Sequence, residues 1–246
     1  MGIDVDSLRL LIETRNRFGP LGDVLQLGRQ GLYILESPEV DKWIREADLG
    51  SGLAEAIGPF AFADQQLLPR LGATSIVSVD ASAYEGADIV HDFNEPIDAV
   101  LHGKFDTVID FGSTEHIFNV AQSWKNLLLL PKVGGRLIAC VPANNWFGHG
   151  FYQFSAELAF RVLVPDNGYR LHAVYYGALD GSPLDVVEDS GADGVRGEIG
   201  LTHRKASLLY IAERIENVVP FNRRWPQQGD YAAAWRNSSS REDQNA

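Results

Sequence analysis

The sequence predicts an α/β protein with a Rossmann-like, mostly parallel sheet that carries helices on both faces. Short apolar segments of strand type recur along the 246 residues, and segments with helical periodicity separate them. The strand segments are apolar nearly throughout, which is typical of parallel strands that are covered on both faces. Several of them end on Gly or Asp, and in sheets of this class ligands bind where the strands end.

The first predicted element is a helix that Asp6 or Ser7 caps and that runs to about Asn16. The next is the short apolar strand "DVLQLG", which ends on Gly28. Apolar runs bounded by Asp, Gly or Pro predict the later strands, and helical periodicity between them predicts the helices. In chain order these elements are helices near 39–47, 51–57 and 64–72, strands over 74–80, 87–92 and 105–112, a helix over 120–130, a strand over 134–142, a helix over 155–162, and strands over 170–176 and 206–213.

The chain is predicted to form one domain over residues 1–235, because no internal repeat and no shift in composition divides it. A hydrophobic content of 45% supports a sizeable buried core. The last residues, 236–246, lose periodicity and are predicted to form a disordered tail.

Composition and charge exclude several classes of function. A net charge of −12 argues against a nucleic-acid partner and favours a small-molecule substrate. The sequence has no membrane-spanning run and no signal peptide, so we expect a cytoplasmic protein. The sequence is also compatible with a homo-oligomer. The single cysteine, Cys140, offers no disulfide, and the six histidines form no closely spaced pair, so no metal site is predicted.

Ionisable side chains follow the predicted strand 105–112 in the segment "FDTVIDFGSTEHI". Asp110, Glu115 and His116 lie within seven positions of one another there, and other predicted strands end on Gly28, Asp80 and Asp92. Because the carboxyl ends of parallel strands meet at one edge of a sheet, we expect these groups to line the same edge.

The order of the segments "VLQLG", "SIVSVDAS", "ADIVHD", "FDTVIDFGSTEHI" and "LLLLPKVGGRLIACVP" resembles the class I S-adenosylmethionine-dependent methyltransferases, over roughly residues 20–215. More narrowly, "DASAYEGADIVHDFNEP" and "NNWFGHGFYQFSAEL" resemble a bacterial methyltransferase-domain subfamily. The resemblance implies a seven-stranded, mostly parallel sheet in which the late antiparallel strand 206–213 lies beside 170–176. It also implies S-adenosylmethionine as the cofactor.

The resemblance assigns roles to individual residues. Gly28 matches the first glycine of the cofactor loop, and Asp80 matches the acid that binds both ribose hydroxyls. Asp92 and Phe93 match the pair that contacts the adenine, and residues 110–112 match the segment beneath the sulfonium. The cofactor-binding set that the resemblance implies is Gln26, Gly28, Asp80, Ala81, Asp92, Phe93, Asp110 and Gly112.

The cofactor loop departs from the family pattern, which has an acid, one residue and then Gly-x-Gly-x-Gly. Here Gln26 stands in place of the acid and Gln30 in place of the second glycine. In addition, 52 positions separate Gly28 from Asp80, where about 20 are usual in nucleotide-binding units of this type. Residues 32–58 are therefore interpreted as an insertion or a lid.

The segment "PANNWFGHGFYQFS" (142–155) combines amides, aromatic rings and an imidazole after a predicted strand. His149 is the preferred general base, because a neutral imidazole accepts a proton near pH 7, and His116 is the second candidate. Glu115 could instead cap a helix, His116 could be a packed core residue, and the 142–155 segment could be a rigid loop. The predicted substrate-contacting residues are Glu115, Asn144, Asn145, Tyr152 and Gln153.

The sequence thus predicts a methyltransferase that acts on a small hydroxylated or sugar-like metabolite by O-methylation. A nicotinamide-dependent dehydrogenase is disfavoured because the first turn lacks Gly-x-Gly-x-x-Gly. The alternative is a protein with the methyltransferase fold that has lost the transfer reaction and serves as a binding or partner protein. The altered glycine loop favours this alternative, whereas Asp80 and Asp92 favour the enzyme.

Overall fold

The computed structural model describes residues 2–34, 37–50, 53, 61–200 and 203–242. Up to residue 162 its α-helices agree with the predicted ones, except that the helix predicted near 64–72 is an α-helix over Ala63–Gln66 followed by a 3₁₀ turn over Pro69–Leu71. The helix predicted at 51–57 lies outside the described residues except for Leu53. The helices are α1 (Val5–Phe18), α2 (Pro38–Glu46), α3 (Ala63–Gln66), α4 (Val120–Leu129), α5 (Ala156–Val162) and α6 (Gly229–Glu242).

The strands form one large sheet and one small pair. The small pair joins β1 (Gly2–Ile3) to β3 (Gly31–Leu32) in parallel. The large sheet has the order β5-β4-β2-β6-β7-β10-β8-β9. Its strands are β2 (Gly22–Leu27), β4 (Ala73–Asp80), β5 (Ile89–Val90), β6 (Phe105–Phe111), β7 (Pro131–Asn144), β8 (Tyr169–Gly177), β9 (Asp185–Val186) and β10 (Ala206–Arg214).

The directions of the strands confirm the predicted sheet. Strands β5, β4, β2, β6 and β7 pair in parallel. Strand β10 runs antiparallel to both of its neighbours and lies between β7 and β8. The late strand 206–213 therefore occupies the predicted place beside 170–176. The sheet has eight strands rather than seven, because the short strand β9 adds to β8 at the edge.

Two cores cover the two faces of the sheet, so helices lie on both sides as predicted. One core contains Val108 and Tyr210 of the sheet, with Trp124 and Leu127 of α4. The other contains Ile109 and the leucines of α1. Successive residues of one strand, such as Val108 and Ile109, enter opposite cores because side chains alternate along a strand. This explains why the strands are apolar nearly throughout.

Three sequence predictions need correction. The cap of α1 is Asp4, whose carboxylate accepts from the backbone N–H of Ser7 at 2.8 Å, rather than Asp6 or Ser7. The strand predicted over 87–92 is reduced to Ile89–Val90. Helix α6 continues to Glu242, so the disordered tail predicted from 236 is wrong up to that residue, and 243–246 lie outside the described residues.

The carboxyl ends of the central strands meet at one edge of the sheet, called the strand-end edge below. Leu27 of β2 is level with Val79 of β4 and with Asp110 of β6. Phe111 of β6 is level with Cys140 of β7. The segments that follow these four strands therefore share this edge. Among the described residues, no helix is both long enough and apolar enough to cross a membrane.

Candidate active site at the strand-end edge

The loop after β2 makes a tight turn at Gly28, whose φ is +69° and whose N–H donates to the carbonyl of Val79 at 2.7 Å. The side chain of Gln30 is fully buried, and its amide donates to the carbonyls of Leu27 at 2.8 Å and Gly28 at 3.3 Å. Gln30 therefore folds back onto its own loop, and its amide stabilises the turn. Its backbone N–H donates to the side-chain oxygen of Gln26 at 3.3 Å.

Two buried polar atoms at this loop lack hydrogen-bond partners among the described residues. They are Nε2 of Gln26 and Oε1 of Gln30. The intervening Arg29 is held by Asp64 at 3.0 Å and stacks over Phe62 at 4.0 Å. Since buried polar groups are normally hydrogen-bonded, the two unpartnered amide atoms mark a place where a polar ligand or water could bind.

The predicted ribose and adenine residues occupy different environments. Asp80 ends β4, is partly exposed, and uses Oδ1 to accept from the N–H of Ser82 at 3.1 Å, with the exposed Ala81 between them. Asp92 is exposed, and hydrogen bonds from Asn94 lower the pKa of its carboxyl. The ring of Phe93, by contrast, is buried in the core.

Asp110 stabilises the turn that follows β6, where Gly112 adopts a φ of +85°. Its buried carboxylate accepts from the N–H of Ser113 at 3.0 Å and of Thr114 at 3.3 Å, and the Thr114 hydroxyl also bonds to it. Both carboxylate oxygens are thus used within the turn, which is a structural role. This turn presents the next two residues, Glu115 and His116.

Glu115, His116 and His149 come together in the structure and are called the Glu-His-His cluster below. Oε1 of Glu115 lies 3.9 Å from Nε2 of His116 and 3.6 Å from Nε2 of His149. The imidazole rings of the two histidines are 4.8 Å apart, edge to face. The side chain of Glu115 is fully buried, whereas the histidine side chains are 41% and 43% exposed. His116 and His149, the two predicted candidates for the general base, therefore lie next to the same carboxyl group, that of Glu115.

The pKa values within the Glu-His-His cluster are shifted from their ordinary values. Burial, with a contribution from the nearby Asp110, raises the pKa of Glu115 to about 8. Burial lowers the pKa of His116, and burial together with Lys205 lowers the pKa of His149. Both imidazoles are consequently neutral near pH 7 and able to accept a proton.

The loop 144–153 owes its position to the backbone of Glu115. The carbonyl of Glu115 accepts from the N–H of Phe151 at 2.7 Å and from that of Tyr152 at 3.3 Å. Gly150, with a φ of +69°, packs so closely that a Cβ there would lie 2.7 Å from the same carbonyl oxygen. These contacts bring His149 to His116, which is 33 positions earlier in the sequence.

Most of the predicted substrate-contacting amides and hydroxyls are engaged within this loop. Asn144 accepts from the N–H of Asn145 at 3.0 Å, and Asn145 donates to the carbonyl of Arg204 at 2.6 Å. Gln153 accepts from the N–H of Trp146 at 2.9 Å. The Tyr152 hydroxyl donates to the carbonyl of Phe118 at 2.6 Å. These side chains fix the loop, so the interpretation as a rigid loop describes them well.

Several exposed aromatic residues lie in the chain segments that carry the Glu-His-His cluster. Phe147 is fully exposed, and Phe118 and Phe151 are largely exposed and pack edge to face at 5.5 Å. The ring of Trp146 lies 4.9 Å from that of His149, and the ammonium group of Lys205 lies over it at 4.4 Å. The sequence analysis did not single out Phe118 or Lys205, because neither lies in a motif, and only folding places them here.

Two cavities among the described residues lie away from the strand-end edge. The larger, of about 470 Å³, lies between α1 and α2 and is lined by Arg9, Glu13 and Trp43 among others. The second, of about 290 Å³, lies near the C-terminal helix and is lined in part by Arg161 and Trp225. Neither includes a residue of the Glu-His-His cluster.

No family model and no curated protein sequence matches the chain. Among solved structures, the chain is similar to the 1,6-didemethyltoxoflavin-N1-methyltransferase of Burkholderia thailandensis, bound to 1,6-didemethyltoxoflavin and S-adenosylhomocysteine. The identity is 12% over 85% of this chain and 77% of that one, with a TM-score of 0.47. It is also similar to the 16S rRNA (adenine(1408)-N(1))-methyltransferase of Catenulisporales acidiphilia, at 13% identity over 89% of this chain and 96% of that one, with a TM-score of 0.44.

Similarity of this degree assigns neither a ligand nor a reaction to the chain. The fold is established by the sheet itself, with its parallel body and the antiparallel strand β10 inserted between β7 and β8. This chain has a fold of the class I methyltransferase type.

Proposed function

We propose that the protein is an S-adenosylmethionine-dependent methyltransferase that transfers a methyl group to a hydroxyl of a small hydroxylated or sugar-like metabolite. The observation that carries the proposal is the placement of the Glu-His-His cluster. The cluster lies at the same edge of the sheet as Gly28 and Asp80, which end the neighbouring strands β2 and β4. A cofactor held by those two residues would have its reactive end near the two imidazoles.

The residues at the strand-end edge fit the cofactor on its ribose side. The carboxylate of Asp80 uses one oxygen in its turn and retains acceptor capacity for two ribose hydroxyls. The positive φ of Gly28 lets the backbone approach a ligand closely. Gln30 does not block this approach, because its buried amide folds back onto the loop. The fit is weaker at the adenine, since the ring of Phe93 lies in the core and leaves Asp92 as the expected contact.

The reaction needs little covalent chemistry from the protein. S-adenosylmethionine supplies an activated methyl group on a sulfonium, and transfer to an oxygen is an in-line displacement. The chain has to hold the acceptor in line, exclude water and take up the hydroxyl proton. Nε2 of His149 is suited to accept that proton, because its imidazole is neutral near pH 7 and partly exposed.

The surroundings of the cluster indicate the class of acceptor. Exposed rings of Phe147 and Phe151 offer flat apolar surface beside polar groups, as sugar rings and small hydroxylated molecules require. The net charge of −12 disfavours a polyanionic acceptor such as RNA. The 32–58 segment, interpreted from the sequence as an insertion or a lid, begins directly after the cofactor loop, and α2 within it packs in the core with α1.

The alternative is a binding or partner protein without transfer activity. It is favoured by Gln30 in place of a loop glycine, and by the engagement of the Asn144 and Gln153 side chains within their own loop. The two candidates differ in one property that can be measured directly. An enzyme must bind both the cofactor and its demethylated product.

Calorimetry with S-adenosylhomocysteine tests the proposal. We expect one molecule to bind per chain, and Asp80→Ala to weaken binding by about 10- to 100-fold, because each hydrogen bond to a charged group contributes about 1.5–3 kcal/mol. His149→Ala is the matched control and should retain the affinity, since the imidazole is assigned to the acceptor. Absence of binding by the unmodified protein would favour the partner protein instead.

A further inference from the structure

We propose that Glu115, His116 and His149 form a binding site for a divalent transition-metal ion of the zinc type. Each residue offers one ligand atom, and these atoms lie within 4.8 Å of one another. Two imidazole nitrogens and one carboxylate oxygen are a donor set that binds zinc in proteins, with water or substrate in the remaining position. The site does not depend on the proposed methyl transfer and can be tested without it.

The strongest support comes from Glu115. Its side chain is fully buried, yet neither carboxylate oxygen has a hydrogen-bond partner among the described residues. A buried carboxyl group without partners is destabilising, because it loses its hydration and gains nothing in exchange. Asp110, five positions earlier, shows the contrast, since hydrogen bonds from its own turn satisfy it. One of these oxygens, Oε1, is the atom of Glu115 that lies nearest to the two histidines.

The distances favour an ion over direct hydrogen bonds. Oε1 of Glu115 is 3.6 Å and 3.9 Å from the two histidine nitrogens, which is longer than the 2.7–3.2 Å of a hydrogen bond. Ligands at about 2.0 Å from a tetrahedral zinc ion are about 3.3 Å apart. The three ligand atoms now lie within 4.8 Å of one another, so binding would draw pairs of them together by about 0.3 to 1.5 Å. The partly exposed histidine side chains are free to make this adjustment, whereas Glu115 is fixed by burial.

The donor types select the class of metal. Imidazole nitrogen suits zinc and neighbouring transition metals, whereas magnesium and calcium prefer oxygen ligands. The exposed side of the site is open to solvent and leaves a coordination position for water or a substrate hydroxyl. The ammonium group of Lys205 lies over the ring of Trp146 rather than at the cluster itself, and its positive charge opposes a cation there.

Metal binding would change the chemistry at the acceptor. With Nε2 of His149 bound to the ion, the imidazole could no longer accept the proton. A hydroxyl bound to the same ion would instead lose its proton to solvent water more readily, because a divalent metal lowers the pKa of bound oxygen groups. This step rests on the proposed function, whereas the binding of the metal does not.

The test measures zinc binding by the full-length, chelator-treated protein in competition with a chromophoric chelator. We expect one ion per chain, with Glu115→Gln and His149→Ala each weakening binding by at least about 100-fold. Glu115→Gln keeps the shape of the side chain and removes its ability to ionise and bind a cation as a carboxylate. His203→Ala is the matched control, because it removes an exposed histidine outside the cluster, and it should bind as tightly as the unmodified protein.

Cobalt provides a second readout. Co²⁺ in a site of low coordination number gives visible absorption bands, and these should be present in the unmodified protein and in His203→Ala but lost in Glu115→Gln. Equal zinc affinity in the unmodified protein and Glu115→Gln, or no binding by a protein that still binds S-adenosylhomocysteine, would overturn the metal site. Zinc binding without binding of S-adenosylhomocysteine would uphold the metal site and count against the transfer reaction.

Discussion

Asp110 and Glu115 show how differently two buried carboxyl groups can serve at one strand end. Both are without solvent exposure, and they are five positions apart. Asp110 is satisfied by Ser113 and Thr114 and shapes the turn. Within the described part of the chain, neither carboxylate oxygen of Glu115 has a hydrogen-bond partner, and burial raises its pKa to about 8. At the scale of single residues, the group that the fold does not satisfy is the one that indicates a ligand.

Asp6 gives a prediction about stability and pH. Its side chain is buried in α1 and accepts from the N–H of Leu179 at 2.8 Å. Burial, with repulsion from Asp4 and Asp180, raises the pKa of Asp6 from 3.8 to about 6 in the folded protein. Between pH 3.8 and about 6, the carboxyl group of Asp6 is therefore protonated in the folded state but ionised in the unfolded state. The free energy of unfolding should fall as the pH rises from about 4 to above 6.

Asp6→Asn removes this dependence. Relative to the unmodified protein, the variant should gain about 1–3 kcal/mol of unfolding free energy as the pH rises from 4 to 7. The reason is that only the unmodified protein loses stability over this range. Urea unfolding at several pH values measures it. Asp185→Asn, which changes an exposed carboxylate, is the control. A difference for Asp6→Asn that is constant over this pH range would contradict the assignment.

At the scale of elements, the loop 144–153 is tied to Glu115 through its backbone, and Gly150 is the closest point of contact. Gly150→Ala would combine a strained φ of +69° with a Cβ 2.7 Å from the carbonyl oxygen of Glu115. Gly148→Ala has a similar φ of +78° but no atom within 4 Å of its Cβ. Both variants carry the strain of a positive φ, but only Gly150→Ala adds steric overlap. Comparing them therefore isolates the cost of the overlap.

We expect Gly148→Ala to cost about 1 kcal/mol and Gly150→Ala about 1–3 kcal/mol more, because the backbone of Glu115 must shift. Denaturant unfolding of the two variants measures the difference. Zinc affinity should also fall more for Gly150→Ala, since His149 moves with the loop. Equal destabilisation by both substitutions would mean that the loop does not depend on this contact.

The sequence predicts most of the central strands within about three residues, because their apolar runs are bounded by Gly, Asp or Pro. It does not predict the small β1–β3 pair, since strands of two residues carry no periodic signal. Helix α6 is also missed, because "WRNSSSRE" lacks an apolar stripe. The elements that the sequence does not predict are those that depend on a few specific contacts rather than on a periodic apolar pattern.

For the candidate site as well, the sequence predicts some features and not others. Glu115 and His116 are visible in the sequence because they directly follow a strand, and His149 because glycines flank it. Their meeting is not visible, since 33 positions separate the histidines and the contact depends on hydrogen bonds to the Glu115 carbonyl. The engagement of the Asn144 and Gln153 side chains within the loop is equally hidden, because residue type does not reveal which partner an amide will find.

At the scale of the whole molecule, the sheet order explains why one edge collects the functional groups. Strands β4, β2, β6 and β7 run in parallel, so the segments after them converge. The two cavities named above lie elsewhere, between α1 and α2 and near α6. The central claim is therefore about position: under the proposed function, a methyl donor binds at the strand-end edge with its sulfur directed toward the Glu-His-His cluster.

A crystal structure of the protein with S-adenosylhomocysteine tests this claim most directly. We predict that the ribose hydroxyls donate to the carboxylate of Asp80, that the backbone at Gly28 lies against the amino-acid part, and that the sulfur is directed toward His149. Binding of the ligand in the cavity lined by Arg9 and Trp43, or with its sulfur directed away from the cluster, would contradict the account.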